Sequence, residues 1–193
     1  MLLKKKSTII SITMAFILAI AACYYYFAIY NSVNVVSVHA QYKGYSTGEK
    51  LFEGAELVVI GKPVTAFGDR EIHLTRFATG VIEDFATFTE IHVEKVLKGP
   101  KEDTTNLTVI EPVVEYQTYK GKVRLASEGY TPMKKDSRYL IFLKKNRTGQ
   151  YYVINMQEGK FNLDGTDPED SIESPSKSRI FTELKAEFPQ ELR

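Results

Sequence analysis

Apolar and polar residues fall into three successive regimes along this chain. From Ile9 to Tyr30 nearly every position is apolar, only Ser11 and Thr13 intervene, and Lys4, Lys5 and Lys6 stand directly ahead. At 1.5 Å per residue, a helix over 9–30 is about 33 Å long, enough to cross the hydrocarbon of a bilayer. Between 51 and 161 the pattern changes to short runs bounded by glycine and proline. Ala55 to Ile60 is a compact apolar run and predicts a buried strand, followed by a turn at Gly68-Asp69-Arg70. From Ile82 to Val96 the residues alternate: Phe85, Thr87, Thr89, Ile91 and Val93 share one face, and Phe88, Glu90, His92 and Glu94 the other. Leu107 to Ile110 is a further short strand, Val113 to Leu125 predicts a hairpin about Lys120-Gly121-Lys122, and Arg138 to Leu143 pairs with Tyr151 to Met156 across a turn. Beyond 162 the chain is acidic and turn-rich, then places Ile180, Phe181, Leu184 and Phe188 at helical spacing behind a Ser174-Pro175 start signal.

About six short strands with no long helix among them predict a mainly β fold: a small closed antiparallel barrel of the oligonucleotide/oligosaccharide-binding type. A transmembrane helix precedes it and a short amphipathic helix follows. The segments are then 1–8, a cytoplasmic basic end; 9–30, a signal-anchor; 31–50, a tether or short first strand; 51–161, the barrel; and 162–193, an acidic linker and helix.

Basic residues before the apolar run and none immediately after place the N-terminus in the cytoplasm and the remainder outside, as a single-pass protein of the cell membrane. Tyr24, Tyr25, Tyr26 and Tyr30 suit the outer headgroup region. Cleavage is the competing reading. Ile20-Ala21-Ala22-Cys23 resembles a lipoprotein box, with a signal peptide ending at 22 and Cys23 lipidated, and plain secretion is the third outcome. Cys23 is the only cysteine, so the part beyond it folds without a disulfide. Of 25 Lys and Arg, three precede the apolar run, and the rest stand against 24 acidic residues. That slightly acidic balance argues against a nucleic-acid partner.

Candidate chemistry is sparse. The histidines are His39, His73 and His92, and none forms a short metal-binding pair. His73 and His92 on adjacent strands, with Glu71, Glu90 or Glu94 nearby, are a candidate zinc or proton-transfer cluster. Asp164, Asp167 and Asp170 offer calcium their charge without the donor spacing of a dedicated loop. No cofactor motif is present. Tyr116, Tyr119, Tyr130 and Tyr151, along with Tyr139 and Tyr152, either line a binding groove or pack within strands.

Ala55-Glu56-Leu57-Val58-Val59-Ile60-Gly61-Lys62, the run Phe88 to Gly99, Arg138 to Leu143 and Gly159-Lys160-Phe161 together carry a resemblance. This pattern, over Leu51 to Phe161, resembles the netrin-like module of tissue inhibitors of metalloproteinases and is similar to exported bacterial proteins of the same pattern. The resemblance implies a five-stranded barrel. In that family a mature N-terminal cysteine coordinates the target's zinc, and no cysteine stands just before Leu51. The expected function is a non-enzymatic, membrane-tethered module that binds a protein or cell-envelope component, with membrane lipid met through 9–30. The alternatives are a metal-binding protein or small metal-dependent hydrolase using His73 and His92, and a netrin-like protease inhibitor.

Overall fold

The computed structural model describes residues 2–170 and 174–192, with side chains from residue 11 onward. The chain forms two compact units: Met1–Val36 with Glu115–Arg124, and Ser37–Val114 with Leu125–Arg193. The first unit holds helix α1 (Leu2–Tyr24), a π-helical turn (Tyr25–Tyr30) and the start of strand β1 (Val33–Val38). It also holds the turn of the hairpin made by β6 (Val113–Thr118) and β7 (Gly121–Ser127). β1, β7 and β6 lie in that order in a three-stranded sheet. Ser11–Tyr30 is long and apolar enough to cross a membrane, and no part of it is buried within the protein. A signal sequence near an N-terminus has the same length and composition.

The second unit is built on a closed barrel. Its strands are β2 (Leu57–Pro63), β4 (Ile82–Lys98), β5 (Leu107–Glu111), β9 (Tyr151–Val153) and β8 (Tyr139–Lys145), and β8 returns to β2. β3 (Glu71–Arg76) extends the edge of β4, and β10 (Lys160–Asn162) pairs with β8. The wholly antiparallel barrel expected from the pattern is corrected at one seam. β5 and β9 run parallel, Val109 opposite Tyr151 and Ile110 opposite Tyr152. Five strands cannot alternate direction around a closed ring, so at least one parallel neighbour is unavoidable. Among the described residues ten strands form rather than about six. The additional ones include β3 and β10, which are too short or too polar to stand out by periodicity. β4 is 17 residues long because it serves three partners, β3 and β2 along one edge and β5 along the other. Two register shifts against β2 bend it around the barrel.

β2 and β8 are buried on both faces, which explains their unbroken apolar runs. Leu57, Val59, Tyr139, Ile141 and Leu143 point into the barrel with Ile91, Val109 and Val153. Val58, Ile60, Leu140 and Phe142 point outward and pack with Phe161 beneath two helices. These are α2 (Gly48–Gly54), supplying Leu51, and α3 (Pro175–Glu187), supplying Ile180, Phe181 and Leu184. Each helix starts at a side-chain cap, and the one at Ser174 is the start that the sequence predicts. Thr47 Oγ1 accepts from the Lys50 N–H at 3.3 Å and Ser174 Oγ from the Lys177 N–H at 3.2 Å, with Pro175 in the first turn.

Glu111 follows Leu107 and Val109 on the inner face of β5 and is wholly buried. Its carboxylate accepts from Arg70 Nη1 at 2.7 Å, from the Tyr130 hydroxyl at 2.9 Å, from the Met133 N–H at 2.8 Å, and from the Thr89 hydroxyl. Arg70 also donates to the carbonyls of Thr65 (3.0 Å) and Met133 (2.6 Å) and to the Thr89 hydroxyl oxygen (3.1 Å). A second buried centre lies under α3. Asp170 takes Lys160 Nζ at 2.5 Å, Lys177 Nζ at 2.8 Å, the Asn162 N–H at 2.8 Å and the Gln157 amide at 2.8 Å. Lys160 Nζ also sits over the rings of Tyr130 and Tyr139, at 5.3 and 5.5 Å, so the two centres share a wall of aromatic face.

Replacing Glu111 by Ala leaves a buried guanidinium, a phenol and a backbone N–H without their acceptor. The expected loss is about 3–5 kcal/mol of unfolding free energy, read from denaturant unfolding of the detergent-solubilised chain. Thr104→Ala, which removes a single exposed hydroxyl-to-carbonyl bond, serves as the near-neutral control.

Candidate functional site

A groove of about 730 Å³ runs over the outer face of the barrel unit. Its floor is a cross-strand row set by register: Phe88 on β4 opposite Ile110 on β5, Ile110 opposite Tyr152 on β9, and Tyr152 opposite Lys144 on β8. The inward neighbours of these residues, Thr87, Thr89, Val109 and Val153, fill the barrel, so the period of two turns Phe88, Ile110 and Tyr152 outward. α2 and α3 pack on β2, β8 and β10, and Tyr45 belongs to the cluster formed there and Tyr152 borders it, while Phe88 and Ile110 lie outside it.

The walls come from three segments. The β3–β4 hairpin contributes His73 and Asp84, with Nε2 to Oδ2 at 3.6 Å. The β8–β9 turn contributes Asn146, Thr148 and Gln150, and Gln41 to Tyr45 runs along the opposite side. That last segment has no strand partner of its own, and the buried side chain of Asn155 replaces one. Asn155 Oδ1 accepts from the Tyr45 N–H at 2.8 Å and Nδ2 donates to the Tyr45 carbonyl at 3.1 Å. Asn155 holds a left-handed backbone, φ 58°, a conformation that asparagine tolerates better than most residues. The Tyr45 ring lies against Gly54, where a Cβ would fall 2.3 Å from a ring carbon, so only glycine lets the wall close. Burial, with the Glu158 and Glu128 carboxylates, pushes the Tyr42 phenol above its ordinary value and keeps it a neutral donor. An apolar floor with amide, hydroxyl and amine groups at its margin binds through shape and hydrogen bonding, and its volume suits a small molecule or a short length of polymer.

The residues singled out by sequence are distributed differently. His73 lies opposite Ala86 and His92 opposite Lys62, six residues further along β4, or about 20 Å at strand rise, so the two histidines do not meet. Glu90 is exposed opposite Thr108. His39 is exposed and sits 3.3 Å from Glu128. Among the described residues no three His, Cys, Asp or Glu side chains gather as a metal site would require. Cys23 is exposed within α1.

Tyr130 is corrected as a surface residue. It is 1% exposed, and both burial and Glu111 push its phenol well above the ordinary range, so it is a fixed donor within the barrel. Tyr139 is equally buried, its hydroxyl bonded to Asp167. Tyr151 lies largely inside with its hydroxyl 2.7 Å from Asp103, and Tyr116 and Tyr119 belong to the other unit. Of the tyrosines named from sequence, Tyr152 lines the groove. Periodicity shows why: Tyr151 and Tyr152 are adjacent on a strand and must face opposite sides.

The acidic stretch after β10 also turns inward. Asp170 holds two lysines and Asp167 takes the Tyr139 hydroxyl. Asp164 accepts from the Arg138 N–H, the Asn162 amide, and both the N–H and the hydroxyl of Thr166. Partial burial opposes ionisation of Asp164, but these donors outweigh it and bring the carboxyl down to about 2. The aspartates that looked available to calcium therefore already have donors.

No protein-family model matches this sequence, and no curated protein is significantly similar to it.

Two outcomes are expected. Asn155→Ala should lower stability by about 1–3 kcal/mol and speed hydrogen exchange at the Tyr45 amide, since that N–H loses its only buried acceptor. Because the Asp164 carboxyl is depressed in the folded state, its stabilising effect is present above its ordinary value of 3.8 and lost as pH falls towards 2. Asp164→Asn should therefore be less stable than the parent chain at neutral pH, and the gap should close between about pH 4 and pH 2 in thermal melts.

Proposed function

We propose that this protein is a membrane-tethered, extracytoplasmic binding module with no catalytic role, which takes part of a protein or envelope polymer into the groove over Phe88, Ile110 and Tyr152. The observation that carries the reading is that groove: three outward-facing, half-buried side chains in register across three strands along an open cleft of about 730 Å³. Outward-facing apolar residues in a row are costly to leave in water and mark a binding face when rimmed by polar groups. Tethering is supported by the 20-residue apolar span, and the outward orientation by Lys4 to Lys6 ahead of it.

The five-stranded closed barrel supports a netrin-like ancestry as part of this proposal. Inhibition of a metalloproteinase by zinc capture is not part of it, because no cysteine precedes Leu51 within the barrel unit.

The test places a photo-crosslinking amino acid at Tyr42, on the groove wall, in the intact anchored chain expressed in whole cells. A discrete adduct is expected, and Phe88→Glu should abolish it without changing the circular dichroism spectrum. Absence of any adduct, or an adduct indifferent to Phe88→Glu, would overturn the reading.

A further inference from the structure

The apolar helix does not simply end and release the chain. At Tyr25 it widens into a π turn that runs to Tyr30 and closes on itself through Asn31 and Ser32. The Asn31 amide donates to the Tyr26 carbonyl at 2.8 Å, and the Ser32 hydroxyl to the Ile29 carbonyl at 2.6 Å. The tip of the β6–β7 hairpin is fastened to this turn at three points. The Tyr25 hydroxyl donates to the Tyr119 carbonyl at 2.8 Å, the Gln117 amide to the Tyr30 carbonyl at 2.9 Å, and the Lys122 N–H to the Ser32 carbonyl at 2.8 Å. Gly121 makes the approach possible. Its φ is +111°, and a Cβ there would stand 2.5 Å from Ser32 Oγ and 2.8 Å from the Ile29 carbonyl oxygen.

Depth then follows from geometry. A span over Ser11–Tyr30 is about 30 Å long, so its last turn lies at the edge of the hydrocarbon, where tyrosine hydroxyls meet headgroups. The carbonyl that the Tyr25 hydroxyl reaches must lie at the same depth, and that carbonyl belongs to Tyr119. The Tyr119 side chain is 73% exposed, more than Tyr24 or Tyr26 on the helix itself, at 66% and 52%. Lys120 is exposed beside it, with Nζ 5.4 Å from the Tyr119 ring centroid. Lys122 and Arg124 share the single carboxylate of Glu115, at 3.3 and 3.0 Å, so the hairpin tip carries a positive excess.

We propose that this hairpin tip is a second membrane contact, with the Tyr119 ring lying in the headgroup layer and Lys120 and Lys122 facing the phosphates of anionic lipid. The inference rests on the proposed tethering by the apolar helix and extends it from a single anchor to a two-point footing. The occupant is the bilayer surface itself, because the contact is continuous with the span and its charge complements anionic headgroups. Two contacts of different kinds restrict tilt and rotation of the helix relative to the membrane, which a lone span does not.

The chain contains no tryptophan, so Tyr119→Trp introduces a single fluorophore, and the bond from Tyr25 survives because it uses a backbone carbonyl. The full chain carrying this substitution is reconstituted into phosphatidylcholine vesicles with and without phosphatidylglycerol. Expected results are blue-shifted emission and quenching by lipids brominated near the headgroup, roughly twofold or more above that by deeply brominated lipids. Lys120→Glu in the same background should weaken quenching in the vesicles containing phosphatidylglycerol. Gly121→Val should release the hairpin and abolish quenching while the protein still floats with vesicles. Emission at the wavelength of an aqueous indole, without quenching, from protein that floats with vesicles would overturn this inference alone. Protein that fails to float would overturn the tethering reading beneath it as well.

Discussion

Glu111 is the constraint around which the barrel is organised. A carboxylate on the inner face of a strand must be matched by donors from every direction, since an isolated charge in an apolar interior costs far more than any single contact returns. The donors come from well-separated parts of the chain: Arg70 from the turn before β3, Thr89 from β4, and Tyr130 and Met133 from the segment ahead of β8. Each therefore has one permitted position. Such a cluster adds little stability over an apolar core of equal volume, but any arrangement that leaves one member unpartnered is strongly disfavoured. The Tyr130 ring passes the same demand to Lys160 and thence to Asp170 and Lys177, which brings α3 under the same set of constraints. Burial pulls the Lys177 ammonium below its ordinary value while Asp170 opposes the shift, as expected where the charged form survives only because its partner is present.

The position of the groove is a consequence of how the barrel is covered. β2 and β8 carry apolar residues on both faces and so need the roof that α2 and α3 supply. β4, β5 and β9 alternate, and their outward residues are only partly buried. Phe88 and Ile110 lie outside the cluster beneath the helices and Tyr152 lies at its margin, so this row stays half-buried and lines the groove. The wall opposite is made of a segment with no ladder of its own, held by one asparagine acting in place of a neighbouring strand. Pre-arranged walls reduce the ordering cost of ligand capture, which is the physical reason to fix such a segment by a buried side chain rather than leave it loose.

Much of this fold can be read from local pattern. Continuous apolar runs mark β2 and β8, the alternation from Phe85 to Val93 marks β4, and Ser174 marks the start of α3. What pattern cannot supply is the identity of partners far away in sequence. Arg70 reads as a turn residue, yet its carboxylate partner lies 41 positions on. Lys160, Lys177 and Asp170 sit in stretches whose composition signals solvent, and only the docking of α3 buries them. The parallel seam between β5 and β9 has no local signature either, since it follows from the number of strands in the ring. Of the six tyrosines weighed for a groove only Tyr152 lines it, because the residues on its floor depend on register between three strands, which no single strand encodes.

Tyrosine shows how far residue type alone falls short of role. At Tyr130 and Tyr139 the hydroxyl meets a buried carboxylate, so the ring is held inside and serves the charge network. At Tyr152 the strand period turns the ring out, and it becomes part of a floor. At Tyr25 the hydroxyl meets a backbone carbonyl at the end of an apolar helix, and the ring stays exposed. An amphipathic ring settles wherever its flat body is sheltered and its single polar atom is satisfied. In this chain the acceptor that each hydroxyl can reach decides among interior, groove and the helix end, and that acceptor is set by topology rather than by the tyrosine itself.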